Sequence, residues 1–249
     1  MATADQQNTP AGLRYPLIDV LRGSAIFMMI AFHFCFDLST FGYANFDFYN
    51  SSFWLNFQIL IVSIFTFVMG MSFQLAHQHQ LNWTKFFKRL GLLGICALLI
   101  TISTYLVNGD RFIYFGILHF IFAASILAIP FIRLYWSNLI LGSGILLANV
   151  LYQNPAFNQI YLQWIGFMTY KPATDDYEPV IPWFGMVLLG MFFARWAIIN
   201  GNLKIFSSWT TTSRPTKVLR FAGIHSLLIY MLHQPLFYGL FYLFAQLLG

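Results

Sequence analysis

Asp19-Val-Leu-Arg-Gly-Ser-Ala-Ile-Phe-Met-Met-Ile-Ala-Phe-His-Phe-Cys-Phe-Asp37 is the stretch that decides how this chain folds. It is apolar enough to cross a bilayer, yet it carries Asp19, Arg22, His33 and Asp37. Wound as an α-helix, it places those four side chains within a stripe roughly 60° wide. His33 then lies about 16 Å above Arg22, and Asp37 about 6 Å beyond His33. A stripe of this kind facing lipid is very costly, so it must face protein or a water-filled cleft. Ionisable groups at membrane depth point first to function. The plainer alternative is an Asp19–Arg22 pair near the interface, with His33 and Asp37 satisfying each other.

Composition agrees with a membrane setting. The 249 residues are 59% hydrophobic and only 8% charged, against about 25% charge in an ordinary soluble domain. The apolar runs are about 20 residues long, which fits membrane helices and not barrel strands of about 10. An all-α polytopic bundle is therefore expected. No small-residue cleavage site follows the first run, so it reads as a retained span. Cys35 and Cys96 sit alone inside apolar runs, make no disulfide or metal framework, and read as packing residues.

Residues 1–13 read as a disordered tail and 14–249 as one transmembrane domain. About seven spans are expected, near 16–41, 53–78, 87–107, 112–132, 136–152, 180–199 and 221–247. With the N-terminus inside, eleven of the 13 lysines and arginines fall on the cytoplasmic side. Arg111 and Lys171 alone fall outside. That asymmetry sets the orientation, with the N-terminus in and the C-terminus out. The net charge of +5 is thus a topology signal, not a sign of nucleic-acid binding. His33, His119 and His233 are expected at similar depths, where three helices could bring them into one cavity.

Two further helices carry polar patterns. Asn56, Ser63, Thr66, Gly70 and Gln74 lie within roughly 80° on the second span, suiting either close helix packing or the wall of a groove. On the last span Ser226, Tyr230 and His233 share one face, followed by Gln234 and a helix-bending Pro235. Between the fifth and sixth spans, 153–182 is the longest segment outside the membrane, and it gathers Asp175, Asp176 and Glu178. It reads as a lip over a cleft or as a plain interfacial loop.

Five segments resemble a known family, in its order and over nearly the whole chain. They are Asp19-Val-Leu-Arg-Gly23, His33-Phe-Cys-Phe-Asp37-Leu, Tyr114-Phe-Gly-Ile-Leu-His119-Phe-Ile, Pro182-Trp-Phe-Gly-Met-Val-Leu-Leu-Gly190 and His225-Ser-Leu-Leu-Ile-Tyr230-Met-Leu-His233-Gln-Pro235. The chain resembles the bacterial branch of the heparan-α-glucosaminide N-acetyltransferase catalytic-domain family. The Arg22-x10-His33 spacing also looks like the signature of the type-three membrane acyltransferases. The resemblance implies a helical core that moves an acetyl group from acetyl-coenzyme A to a sugar amine across the membrane, with a histidine at the centre of the chemistry. It further implies a bacterial cytoplasmic membrane. There are departures: animal members carry a lumenal domain absent here, and their Gly-x-Leu-Gln-Arg motif is Gly116-Ile-Leu-His119-Phe120 in this chain.

On this basis His33 and Asp37 are the expected catalytic pair, with Asp37 accepting a hydrogen bond that fixes the His33 tautomer. Arg22, Gly70, Ser72, His225 and Ser226 are expected at the donor, since arginine suits phosphate. His119, Asp176, Tyr230, His233 and Gln234 are expected at the acceptor. Acetyl-CoA is a co-substrate rather than a tightly bound cofactor, and no metal is expected. The other partners are a carbohydrate or small-molecule acceptor and membrane lipids, with self-association left open. A proton-coupled transporter or flippase is the rival reading, because histidines and carboxylates in a membrane cleft also build proton relays. The two halves show no internal repeat, a feature many transporters have.

Overall fold

The computed structural model describes residues 15–78, 80–172, 174, 176–207, 209 and 213–248, with the side chains of Asn108, Ala245 and Leu248 left aside. The expected tail, Arg14 and Asp175 lie outside the described residues. Those described form helices and connecting segments, with no strand.

Among the described residues, five helices are long and apolar enough to cross a membrane. They are α1 (Pro16–Thr40), α2 (Ser52–Ala76), α3 (Trp83–Asn108), α7 (Val180–Ile199) and α10 (Ser226–Leu248). Two apolar helices are shorter, α4 (Ile117–Leu127) and α5 (Trp136–Leu151). At 11 residues α4 rises only about 17 Å, short of the ~30 Å hydrocarbon layer. The fourth expected stretch, 112–132, spends its first residues on a non-helical approach to α4. Short helices α6 (Ile160–Gln163) and α8 (Lys204–Ser207) occupy connections. α9 (Arg214–Ile224) is separate from α10, because the chain breaks at His225. The last apolar helix therefore starts at Ser226, five residues later than the hydropathy pattern suggests.

α1 begins with Pro16 in its first turn, where a missing N–H is harmless. Its inner face buries Ile18, Asp19, Ala25, Ile26, Met29 and Asp37, while Phe27 and Phe34 point outward. α3 leaves Leu92, Ile95, Leu98, Leu99, Ile102 and Leu106 exposed, an apolar surface suited to lipid.

Two close helix crossings hold the core. α2 and α7 touch backbone to backbone: a Cβ added at Gly70 would lie 2.0 Å from the Val187 carbonyl oxygen, and one at Gly190 2.1 Å from that of Phe67. Between α1 and α9 the approach is closer still, with a Gly223 Cβ 1.7 Å from the Asp19 oxygen and a Gly23 Cβ 1.9 Å from that of Leu219. Small residues at helix interfaces permit such approaches in membrane bundles. The core between these crossings includes Ile26, Phe120, Ala124, Val187, Leu188 and Met191, all fully buried.

Candidate active site

His33 on α1 and His233 on α10 meet, their ring centroids 5.1 Å apart. His233 Nδ1 lies 2.6 Å from the Tyr230 carbonyl oxygen. A carbonyl only accepts, so Nδ1 carries the proton and Nε2 holds a lone pair. His233 Nε2 and His33 Nδ1 are both buried without a hydrogen-bond partner among the described residues. Both rings line a cavity of about 430 Å³, with Asp176, Tyr230 and Gln234 on its wall.

Asp176 reaches this wall from the connection before α7. That connection is laced down by Glu178 N–H to the Phe115 carbonyl (3.1 Å) and Val180 N–H to the Trp164 carbonyl (2.9 Å). Asp176 Oδ2 accepts the Ile117 N–H at 2.9 Å and the Tyr230 hydroxyl at 2.8 Å. The carboxylate thus sits at the N-terminus of α4, where backbone N–H groups lack helical partners. Any larger residue at 116 would displace this carboxylate, since a Cβ there would lie 2.3 Å from Asp176 Oδ2.

A second, smaller cavity of about 60 Å³ shares His33, Asp176 and Tyr230 and adds Glu178 and Gln58. Gln58 bridges Lys171 Nζ (2.8 Å) and Glu178 Oε1 (3.4 Å). Burial raises the pKa of Asp176. Burial, reinforced by the neighbouring Asp176 charge, pushes Glu178 up to about 8.

Arg22 anchors the other end. It donates to Ser72 Oγ at 2.6 Å, to the Gly223 carbonyl at 3.3 Å and to Asp19 Oδ1 at 3.4 Å. A cavity of about 110 Å³ is lined by Arg22, Ser72, Arg89, Ser226 and Tyr230. Arg89 and Leu93 also line a fourth cavity of about 190 Å³, with Lys85, Asn82 and His77 at its rim. Cavities that share residues thus follow one another from Lys85 and Arg89, past Arg22 and Tyr230, to the histidine pair.

Some expected residues take other places. Asp37 Oδ1 accepts a hydrogen bond from Gln234 Nε2 at 3.1 Å, and His33 Nδ1 has no hydrogen-bond partner among the described residues. The reason is the α1–α10 packing, which brings Gln234 to the buried Asp37. His119 is near the site but outside its cavities. Its Nδ1 accepts the Gly116 N–H (3.3 Å), so its Nε2–H donates to Thr101 Oγ1 (3.0 Å), which in turn donates to the Ile113 carbonyl (2.8 Å). Two of the three histidines meet, and the third braces the start of α4. Gly70 is closed over by Val187, so it serves packing rather than a donor groove. His225 is exposed, its Nδ1 2.9 Å from the Phe221 carbonyl, and is absent from the Arg22 cavity that Ser72 and Ser226 line.

Glu178, Gln58 and Arg89 also line these cavities. Glu178 stands immediately before an apolar helix with a proline behind it, and Gln58 interrupts an apolar run; both are readable signals. Among the described residues no three His, Cys, Asp or Glu side chains gather to hold a metal ion.

Long apolar helices around a histidine pair, two carboxyl groups and an arginine define an integral membrane protein with an internal, ionisable site. The model of the family described as heparan-alpha-glucosaminide N-acetyltransferase, catalytic, matches residues 14–235, and the chain belongs to that family. No curated protein and no solved structure matches.

Proposed function

We propose that the chain is a membrane acyltransferase. It takes an acetyl group from acetyl-CoA at the Lys85–Arg22 end of the cavity series and passes it to a sugar or other small acceptor beside His33. The observation that carries this reading is the series itself, in which Arg89, then Tyr230, are walls common to successive cavities. Membership of an acetyltransferase family supports the reaction type. Arg22 and Arg89 supply the cations suited to the donor's phosphates, and Ser72 and Ser226 line the same space. His33 faces both cavities at the far end and is the central catalytic residue, with Asp37 and Gln234 bracing α1 against α10 behind it. Asp176, Tyr230, His233 and Gln234 surround the acceptor.

In this reading the chain crosses a bacterial cytoplasmic membrane seven times, α4 and α5 completing their crossings with the segments that flank them. The N-terminus lies inside, following the lysine and arginine asymmetry. The donor end is then cytoplasmic and the acceptor end faces out.

The test is purified protein titrated with acetyl-CoA by calorimetry, alongside His33→Ala. Binding is expected in both, with thiol release lost in the variant. Wild-type protein that is folded and does not bind acetyl-CoA would leave the transporter reading in its place.

A further inference from the structure

The bonding of the two histidines on the cavity wall is unequal. His233 has its Nδ1–H fixed on the Tyr230 carbonyl, and its buried Nε2 has no partner among the described residues. Tyr230 is itself held by Asp176, which is held by the Ile117 N–H. His119 provides the contrast within the same chain, because both of its ring nitrogens are engaged. His233 lines the cavity, is held through Nδ1 and leaves its buried Nε2 without a partner among the described residues, the arrangement of a general base. The carbonyl suits the protonated ring as well, since the Nδ1–H bond becomes charge-assisted when Nε2 gains a proton.

We propose that His233 Nε2 is the base that deprotonates the acceptor, with Tyr230 and Asp176 as positioning residues. This rests on the acyl-transfer reading above and assigns within it the proton step, leaving His33 to face the acyl group. The acceptor's amine nitrogen or hydroxyl oxygen attacks the thioester carbonyl carbon while its proton moves to His233 Nε2. The carbon–sulfur bond then breaks with its electron pair on sulfur. The leaving thiolate takes the proton back from His233 Nε2, so free coenzyme A and neutral His233 result. No other reactant is needed.

Two measurements on the full chain in detergent test this. The first is long-range proton–nitrogen correlation on protein labelled with ¹⁵N-histidine, the His233 signals assigned by their loss in His233→Gln. The Nδ1–H tautomer is expected for the neutral ring; the Nε2–H tautomer overturns the proposal. The second is thiol release from acetyl-CoA with glucosamine as the probe acceptor. His233→Ala is expected to bind acetyl-CoA as the wild type does and to lose about 10²–10⁴-fold in turnover. Added imidazole should restore part of that loss by entering the vacated space, a rescue that a purely structural role would not give. Turnover within tenfold of wild type, or a loss that imidazole leaves untouched, overturns the assignment. If His233→Ala does not fold, the tautomer of the wild-type ring decides alone. Wild-type protein without acetyl-CoA binding removes the acyl-transfer reading itself. Wild-type turnover with an unimpaired His233→Ala removes only this one.

Discussion

Tyr230 on α10 donates its hydroxyl proton to Asp176 Oδ2 at 2.8 Å, and the same oxygen accepts the Ile117 N–H at 2.9 Å. One carboxylate oxygen therefore fastens a cavity-facing helix to the start of α4. Tyr230 is 9% exposed, so water cannot fully replace the lost partner. Tyr230→Phe should lower stability by about 1–3 kcal/mol, read as thermal unfolding in detergent. In an Asp176→Ala background the same change should cost measurably less. Equal costs in both backgrounds would show that the bond contributes nothing.

Glu178 sets a pH dependence. Its folded pKa, about 8, lies above its ordinary value of 4.5, so the folded chain keeps a proton that the unfolded chain gives up. The associated stability is full below about pH 4.5 and is lost as pH rises through about 8. Asp176, raised by burial, acts in the same direction. The melting temperature of the wild type should fall across that window, and Glu178→Gln should flatten the fall. An unchanged slope in the variant would place the titration elsewhere.

The arginines and lysines are not equivalent. Arg22 borders the inner cavity, whereas Lys88 is exposed on α3. Charge-assisted contacts are worth about 1.5–3 kcal/mol, so Arg22→Ala should weaken acetyl-CoA binding about ten- to a hundredfold. Lys88→Ala should leave it unchanged, with calorimetry as the measurement.

Helix crossings should tolerate no added methyl group. Gly223→Ala would put a Cβ 1.7 Å from the Asp19 oxygen. It should cost about 1–3 kcal/mol or prevent folding. Gly91 on α3 has nothing within 4 Å of its Cβ position. Gly91→Ala should be neutral or stabilising by up to about 1 kcal/mol, again by thermal unfolding.

Orientation is open to direct labelling. In a background with Cys35 and Cys96 replaced by alanine, a cysteine at Asp110 should react with an impermeant maleimide added to intact cells. A cysteine at Lys85 should react only after the membrane is opened. Reversed labelling would turn the proposed donor and acceptor faces around.

Much of the architecture was legible because hydropathy and helical spacing are local properties. The α1 stripe, the face of α10 bearing Tyr230 and His233, and the family motifs all lie within single helices. Pairings between helices were not legible in the same way. Helical spacing put Asp37 under His33, but the α1–α10 packing delivers Gln234 to Asp37. Depth placed His119 with the other histidines, while its ring turned to Thr101 and Gly116. The stripe of small residues on α2 was open between groove and packing, and the Val187 backbone decides Gly70 for packing. Glu178 carried a local signal, its place just before an apolar helix, but its burial depends on the connection folding back onto Phe115, which is not a local property.

Tyr230 borders three of the cavities, and this has a consequence for insulation. The void beside Arg22 and the one beside the histidines have Tyr230 as a common wall, and its hydroxyl is tethered to Asp176. In the proposed acyl transfer, a ring that swung aside would lower the barrier between the donor end and the histidines. Leaving it aside would give water the same route to a reactive thioester. Under the proposed function, passing the acyl group on and shielding it from water would therefore both fall to this one side chain.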